Sequence, residues 1–532
     1  MDAVKRLEFS QERLRQIAPK GQVVLSFVNR IRLDFAHTWV NHVRSLGMSN
    51  YLVGGTDDEA LKGLQLAGVQ CFSMKTNLPQ GEWPWGSPSF KALGPHKIEL
   101  IYKTLTWGFE VIITDIDALV LREPFHFMGR WPDAAFLTTS DHLGNTTADD
   151  GLETHNGIHT AFNIGYMFFR KAALPLVSEW RSVIMSKPRS LWDQGEFNRL
   201  ARHQWDPRST KGLSDPRLFW SYKKQLIGGV LPLALFAGGH NHFVSQMAQR
   251  RGVEPYSVHT TYQYAAAAGK RHRLREGGVW IDKPSYYDPP KGVLTFVPSV
   301  PADMIRPDGG MDTNGHILLI NHQLKQIRSA LAIAYSLGRK LVMPRVVCGY
   351  DKAWYPLSSG FKGNNFASKG VFPGAHSYIL PIYNCPIDHY LEVGQMAPEE
   401  TIREYSFLDN PRTPKAVRDS VASVAVRTAS SGGGSGGLGG GLQLGSPEIR
   451  RIKHEYKQYR VLNLTNIGAI DALKEVLSTS ERALFTAKFG FVSGSWCCAP
   501  QADQKKGQPM SSYFSLMRAG APGGGRRRTV FG

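Results

Sequence analysis

Residues 108–117, Gly-Phe-Glu-Val-Ile-Ile-Thr-Asp-Ile-Asp, join an apolar run to two carboxylates one residue apart, Asp115 and Asp117. In open α/β sheets ligands gather outside the carboxyl ends of strands, so acids placed there point to chemistry rather than solubility. Two anions half-buried side by side require a compensating cation. A hard divalent metal shared with a phosphate-bearing substrate meets that need. Strand alternation puts positions i and i+2 on one face, so both carboxylates are expected to address one ion or one metal-bound diphosphate. The competing reading of Asp-x-Asp is a turn or helix-cap pair, because the motif is short.

The elements that must hold this pair read as an alternating series. Strands are expected at 23–28, 51–55 and 69–72, with helices at 35–46, 57–66 and 95–107, the first carrying Phe35, Trp39, Val43 and Leu46 at helical spacing. Repeated βα units of this length imply a mostly parallel sheet wrapped by helices. Two more strands follow, 134–139 and 163–169. Between them Ser140 to Thr160 is rich in Asp, His, Asn and Gly, and a long polar loop directly after the carboxylate strand reads as a lid over a site.

At 532 residues the chain exceeds the size of one hydrophobic core, so two or more folded units are expected. A second unit is read from 296 to 515. His316–Ile320 is expected as a strand, Leu324 to Leu337 as a helix and 340–344 as the next strand, a Rossmann-like βαβ unit. The Ser/Gly-rich stretch 431–441 is a linker or surface insertion, and 516–532 ends in a disordered basic tail.

A net charge of +19 suggests a polyanionic partner: nucleic acid, acidic lipid or a phosphorylated small molecule. No recognition helix, aromatic nucleic-acid-binding strand or zinc finger is legible, and the basic residues are spread along the chain, so nucleic acid is the weakest of these. Five cysteines lack zinc-site spacing. Cys348 and Cys385 read either as a disulfide of a secretory lumen or as two buried thiols. The opening residues are charged with no apolar leader, and no run approaches a membrane span.

Several motifs in fixed order resemble one family. Lys97 through Asp117-Ala-Leu-Val-Leu-Arg-Glu-Pro124, Thr139-Ser-Asp141, Asn163-Ile-Gly165 and Trp192-Asp-Gln-Gly-Glu-Phe-Asn198 are similar to the GT-A glycosyltransferases of family 77. The likeness is to the plant and algal hydroxyproline-linked (extensin) arabinosyltransferases, and it extends to Tyr256–Tyr264, Gly269–Glu276, Ile327–Ala334, Leu341–Pro344 and Cys385–His389. It covers roughly 22–410 and resumes past the Gly-rich insert. It implies a GT-A nucleotide-diphospho-sugar transferase domain over 20–295 and a smaller α/β domain after it. The stretch 316–344 also resembles the first βαβ unit of protein O-fucosyltransferase-like GT-B enzymes, except that Asn321-His322 stands where a glycine-rich turn is expected. A packing or acceptor-binding module is therefore the safer reading there.

Carried over residue by residue, the resemblance implies that Asp115 faces ribose and metal-bound phosphate, that Asp117 is a direct metal ligand and that His259 completes the ligand set. Without it, His259 reads as a core or surface histidine. Lys270 and Arg271 are expected to back the leaving diphosphate, their run through Arg275 otherwise reading as a solvated basic face. Asp193 and Gln194 are the candidate catalytic, sugar-side pair, the alternative being a helix-capping acid. Asp141 and Asn163 join that pocket more weakly, and Lys97 either touches a phosphate or snorkels. The family's reaction retains anomeric configuration, and Asp193 is taken as a sugar-binding residue first and a nucleophile second.

The expected function is thus transfer of arabinofuranose from a UDP donor, with Mn²⁺ or Mg²⁺, onto hydroxyproline-linked arabinosides of cell-wall glycoproteins. The alternatives are a catalytically inactive transferase-like scaffold that binds glycan or partner enzymes, or a transferase of another UDP-pentose or UDP-hexose. The resemblance implies a Golgi setting. Membrane association is then expected only through an anchor absent from this chain, whether by truncation, a missed first exon or another location. Asn145-Thr146-Thr147 is a glycosylation sequon that lends weak support to secretion.

Overall fold

The computed structural model of the protein describes residues 7–74, 76–83, 86–141, 147–154, 162–205, 210–305, 313–349, 383–428, 446–490, 492–497 and 511–515. They form two compact units, divided between Tyr262 and Gln263. The boundary expected from the sequence lies at 295/296. The helix Ala266–Glu276 belongs with the later residues because Arg273, fully buried, pairs with buried Asp388 at 2.7 Å.

The first unit is built on an eight-stranded sheet. Its strands are β1 (Gln22–Val28), β2 (Tyr51–Gly55), β3 (Cys71–Ser73), β4 (Glu110–Thr114), β6 (Phe136–Ser140), β7 (Phe162–Phe169), β8 (Phe219–Ser221) and β9 (Leu226–Val230), in the order β3-β2-β1-β4-β7-β6-β9-β8. Four of the seven pairings are parallel: β2 with β3, β1 with β2, β1 with β4 and β6 with β9. β1, β4 and β7 read as near-continuous apolar runs because both faces of the sheet are covered, which leaves no solvent side to demand alternation. The helix Leu33–Ser45 buries Phe35, Trp39 and Val43, as its spacing requires, and Gly47 at φ +70° follows it. Asp57 caps Asp58–Leu66 by accepting from the Ala60 amide. Under the far half of the sheet lies an aromatic core in which Phe162 and Phe219 stack at 5.9 Å and Phe197 meets Phe136 edge-on.

A second, three-stranded sheet holds β5 (Ala118–Val120), β10 (Phe236–Gly238) and β11 (Ser257–His259), in the order β10-β11-β5. Its antiparallel β11–β5 register sets His259 opposite Ala118. The lid reading falls largely on 142–146 and 155–161, outside the described residues, as does Asn145-Thr146 of the sequon. At the base of that loop Glu153 accepts from the amides of Thr147 (2.7 Å) and Leu233 (2.8 Å), and burial pushes its carboxyl up to about 7.

The second unit carries a five-stranded, wholly parallel sheet of β12 (Val293–Phe296), β13 (Lys340–Val342), β16 (Ile402–Arg403), β17 (Val421–Ala425) and β18 (Val461–Thr465). Its order is β16-β13-β12-β18-β17. One expectation is corrected here. His316–Ile320 is no strand but the start of a single helix, Thr313–Leu337, whose buried Leu319, Ile320, Gln323, Leu324, Ile327, Leu331 and Ala334 keep helical spacing throughout. A short apolar run cannot by itself distinguish strand from helix. Asn321-His322 therefore lies within a helix, not at a phosphate-binding turn, and the unit's first βαβ crossover starts from β12. The short strands β14 (Val346–Cys348) and β15 (Tyr383–Cys385) pair antiparallel and are joined by the Cys348–Cys385 disulfide, which decides between the two readings of those cysteines. The Gly-rich insertion 431–441 and the tail 516–532 lie outside the described residues.

Helix Ala266–Glu276 anchors a buried ionic network. His272, Arg273 and Arg275 are all buried, Arg275 bonding Asp282 at 2.5 Å and Glu399 at 3.3 Å, so this part of the basic run is not a solvated face. Glu276 accepts from the Ile387 amide at 3.1 Å. Burial, with the Asp388 carboxylate nearby, pushes its carboxyl up to about 8, although the Arg273 cation pulls the other way. Between the ordinary glutamate range and pH 8 the folded chain thus holds a proton that the unfolded chain has released, and stability falls as pH rises through that window. Glu153 acts in the same direction. Thermal unfolding should show a lower midpoint at pH 8.5 than at pH 6, and Glu276→Gln should reduce that slope. An unchanged slope in the variant would contradict the assignment.

Candidate active site

Asp115 and Asp117 lie one step beyond the strand on which alternation placed them. β4 ends at Thr114, and Asp115–Asp117 form the tight turn into β5, closed by the Ala118 amide donating to the Asp115 carbonyl at 2.9 Å. Their convergence comes from that turn, not from a shared strand face. The Asp115 amide donates to the Gly165 carbonyl at 2.8 Å, which ties the turn to β7.

His259 closes the cluster from β11. Its Nε2 lies 3.8 Å from Asp115 Oδ2 and 3.7 Å from Asp117 Oδ1. One ligand-type atom from each of the three residues falls within 4.8 Å of the other two. Asp117 and His259 are buried and Asp115 is partly exposed, so the group has one side toward solvent. Two carboxylates and an imidazole in this proximity form a donor set that suits a divalent metal ion.

The other carboxylate oxygens are held from behind. Lys97, buried on the helix Gly94–Thr106, donates to Asp115 Oδ1 at 2.8 Å and to the Ile164 carbonyl at 2.6 Å. Its ammonium thus neither snorkels nor stands in the open. Thr260 Oγ1 donates to Asp117 Oδ2 at 2.8 Å, and the Thr260 amide to the Asp117 carbonyl at 3.2 Å. Gly165 forms the floor: a Cβ there would lie 2.1 Å from His259 Cε1 and 2.9 Å from Asp115 Oδ2.

Asp193 and Gln194 open the helix Asp193–Ala201, whose cap is Trp192, so Asp193 is not the capping acid. Asp193 is buried against Gly94, where a Cβ would come within 2.9 Å of the Asp193 Cβ. Burial raises its carboxyl to about 6, while the Lys97 cation favours the ionised form. Gln194 uses its amide inside the protein: Oε1 accepts from the Ile164 amide at 3.3 Å and Nε2 donates to Asp141 Oδ2 at 3.1 Å. Asn163 Nδ2 donates to both oxygens of Asp141, at 2.9 and 3.1 Å, and its Oδ1 accepts from the Gly165 amide at 2.8 Å. Tyr262 donates to the Asp141 carbonyl at 3.2 Å. This network links the Asp193–Gln194 helix to β6 and β7 beside the metal-type cluster.

The first unit therefore brings together eight of the ten expected site residues: Asp115, Asp117, His259, Lys97, Asp141, Asn163, Asp193 and Gln194. Lys270 and Arg271 belong to the second unit, on helix Ala266–Glu276, and the geometry above does not include them. Two contributors were not singled out in the sequence. Gly165 carries a usable signal, a glycine inside an apolar strand where something approaches closely. Thr260 carries none beyond adjacency to His259.

A turn of paired carboxylates after the fourth strand of such a sheet, closed by a histidine from a small second sheet, defines a nucleotide-diphospho-sugar transferase domain of GT-A type. Residues 46–274 match the model of the nucleotide-diphospho-sugar transferase family. The chain is 39% identical over 431 residues to "Arabinosyltransferase XEG113" of Arabidopsis thaliana, across 79% of this chain and 64% of that protein. A second relative, "Beta-arabinofuranosyltransferase RAY1" of the same plant, is 29% identical over 136 residues, 25% of each chain. The chain thus spans less than two thirds of the first relative's length and a quarter of the second's. The resemblance to plant arabinosyltransferases read from the motifs is borne out by both. Among solved structures, the glycosyltransferase GlyE of Streptococcus pneumoniae overlaps 52% of this chain and 69% of its own, at 9% identity and a TM-score of 0.30, too loosely to bear on chemistry.

Proposed function

We propose that the chain is a metal-dependent pentosyltransferase that moves arabinofuranose from a UDP donor onto hydroxyproline-linked arabinosides of extensin-type glycoproteins, with retention of configuration. The observation that carries this reading is the convergence of Asp115, Asp117 and His259 within a nucleotide-sugar transferase unit whose plant relatives are named as arabinosyltransferases.

Asp115 and Asp117, with His259, would hold Mn²⁺ or Mg²⁺, the oxygen-rich donor set favouring a hard cation. Bound there, the ion supplies charge stabilisation to the diphosphate as the glycosidic bond breaks. The chain's own residues do the rest. Lys97 fixes the orientation of Asp115 and, as a buried cation, lowers the energy of a negative charge on Asp193. Asp193 accepts from sugar hydroxyls or approaches the anomeric carbon. Gln194, Asn163 and Asp141 hold the helix carrying Asp193 in register with β7, a positioning role that follows from their mutual hydrogen bonds. A lumenal Golgi setting is supported by the Cys348–Cys385 disulfide, since such bonds persist in oxidising compartments. Among the described residues no helix is long and apolar enough to cross a membrane.

The test is a panel of UDP- and GDP-sugars, with and without Mn²⁺, read by nucleotide release in the presence of a hydroxyproline-arabinoside acceptor. Release from UDP-arabinofuranose alone, lost on chelation, is the expected result. A preference for a UDP-hexose would overturn the donor assignment, and full activity in chelator would overturn the metal.

A further inference from the structure

We propose that the π-helical turn His240–Val244 is a subsite for the acceptor sugar, in which the Asn241 amide and the His242 imidazole hydrogen-bond its uncharged hydroxyls. The proposal rests on the acceptor reading above and adds residues that recognise that acceptor.

The turn follows β10 directly, at the end where Gly238 lies opposite His259 of β11. Two glycines bring these chain segments together. The Gly239 amide donates to Thr261 Oγ1 at 3.1 Å, and a Cβ on Gly239 would lie 2.1 Å from the Thr261 carbonyl oxygen. His240 thus begins the turn one residue beyond a direct contact with the segment that carries His259. The Ser245 amide donates to the His240 carbonyl at 3.0 Å, an i to i+5 bond that widens the turn. Such turns are rare and gather at functional sites.

The contents of the turn are costly for the fold alone. All five of its residues are buried. Among the described residues, neither Oδ1 nor Nδ2 of Asn241, at 0% exposure, has a hydrogen-bond partner, and Nδ1 of His242, at 6%, has none. Enclosed polar atoms left unbonded destabilise a chain, and native structures satisfy nearly all of them. A ligand that supplies the missing partners offsets that cost.

Asn241 offers two donors and an acceptor, and a neutral imidazole adds one of each. That set matches hydroxyls, which both give and take hydrogen bonds. Burial pushes the His242 ring down to about 4, with no charged side chain of the described residues contributing, so the ring is uncharged near neutral pH. A phosphate is poorly suited to that setting. The carboxylate cluster leads into β5, which pairs with one flank of β11, whereas β10 and the turn lie on the other. The diphosphate end of the donor belongs to the first flank, and the second is left to the neutral sugar that receives the pentose.

The test is calorimetric titration of the whole chain, with UDP and Mn²⁺ present, by a hydroxyproline-linked arabinoside, beside a separate titration by UDP. Asn241→Leu keeps roughly the shape of the side chain and removes the amide, and His242→Phe keeps a ring without its nitrogens. Each should weaken arabinoside binding by about 10-fold, the loss of one hydrogen bond, while UDP affinity holds. His242→Gln, a neutral donor and acceptor, should bind the arabinoside more tightly than His242→Phe. Asn241→Leu should hold or raise the unfolding midpoint, because it removes an amide that the described residues leave unbonded. Wild-type arabinoside affinity in both variants, or a joint fall of arabinoside affinity, UDP affinity and midpoint, would overturn the subsite alone. A wild-type chain that binds no arabinoside would overturn the acceptor reading, and the subsite with it.

Discussion

Asp117→Ala is expected to abolish Mn²⁺-dependent nucleotide release while leaving the chain folded. Metal stabilisation of transferring phosphate charge is worth several kcal/mol, and at 1.36 kcal/mol per decade its loss lowers turnover on the order of 10³-fold. The fold should survive because Asp117 lies in the turn between β4 and β5, outside the apolar strands of the large sheet. The Thr260 hydroxyl that bonds its side chain remains anchored through the Thr260 amide at the Asp117 carbonyl, which alanine retains. Steady-state release with graded Mn²⁺, beside an unfolding curve, separates the two effects. Retained turnover at saturating Mn²⁺ would argue against the assignment of Asp117 as ligand.

Gly165→Ala should damage the same site from below. The added methyl would lie 2.1 Å from His259 Cε1, 2.6 Å from His259 Nδ1 and 2.9 Å from Asp115 Oδ2, closer than real contacts permit. β7 lies between β4 and β6 and is buried along its length, so the strand has little freedom to retreat, and the imidazole must move. Overpacking of this kind costs about 1–3 kcal/mol of stability. Displacing His259, proposed as one of three ligands, should also lower Mn²⁺ affinity on the order of 10²-fold, judged against the 10–100-fold typical of residues that merely support ligands. The diagnostic experiment adds His259→Ala to Gly165→Ala. That change removes the ring from the clash, so the unfolding midpoint should recover in part, whereas turnover should not. Recovery of turnover would mean that His259 is no ligand.

The site was more legible than its supports. Asp115, Asp117, His259, Asp193 and Asn163 are side chains whose types are matched to metal and sugar chemistry, and their order along the chain survives as motifs. What could not be read was how they are held. The Asp115–Asp117 turn lies past the end of an apolar run, and such a run does not mark its own last residue. Thr260 is chemically ordinary, and only the β11–β5 pairing, between residues far apart in sequence, brings its hydroxyl to Asp117. In the second unit, His316–Ile320 misled because five apolar or neutral residues satisfy a strand and a helix equally. The longer spacing through Leu337 settles it as a helix. Likewise His272, Arg273 and Arg275 look like a surface charge run, and only partners such as buried Asp388, distant in sequence, and partly buried Asp282, nearby, turn them inward.

The pairing of β5 with β11 joins residues 118–120 to 257–259, and most of the first unit must be synthesised and in place before that short ladder can close. Closing so long a loop carries an entropic penalty, and contacts of high sequence separation form late. A nascent chain ending before Ser257 has the aspartates but lacks the imidazole and the Thr260 latch. On the proposed metal site, cation uptake would therefore report that the first unit has finished assembling, and a polypeptide released too early would lack a complete set of ligands.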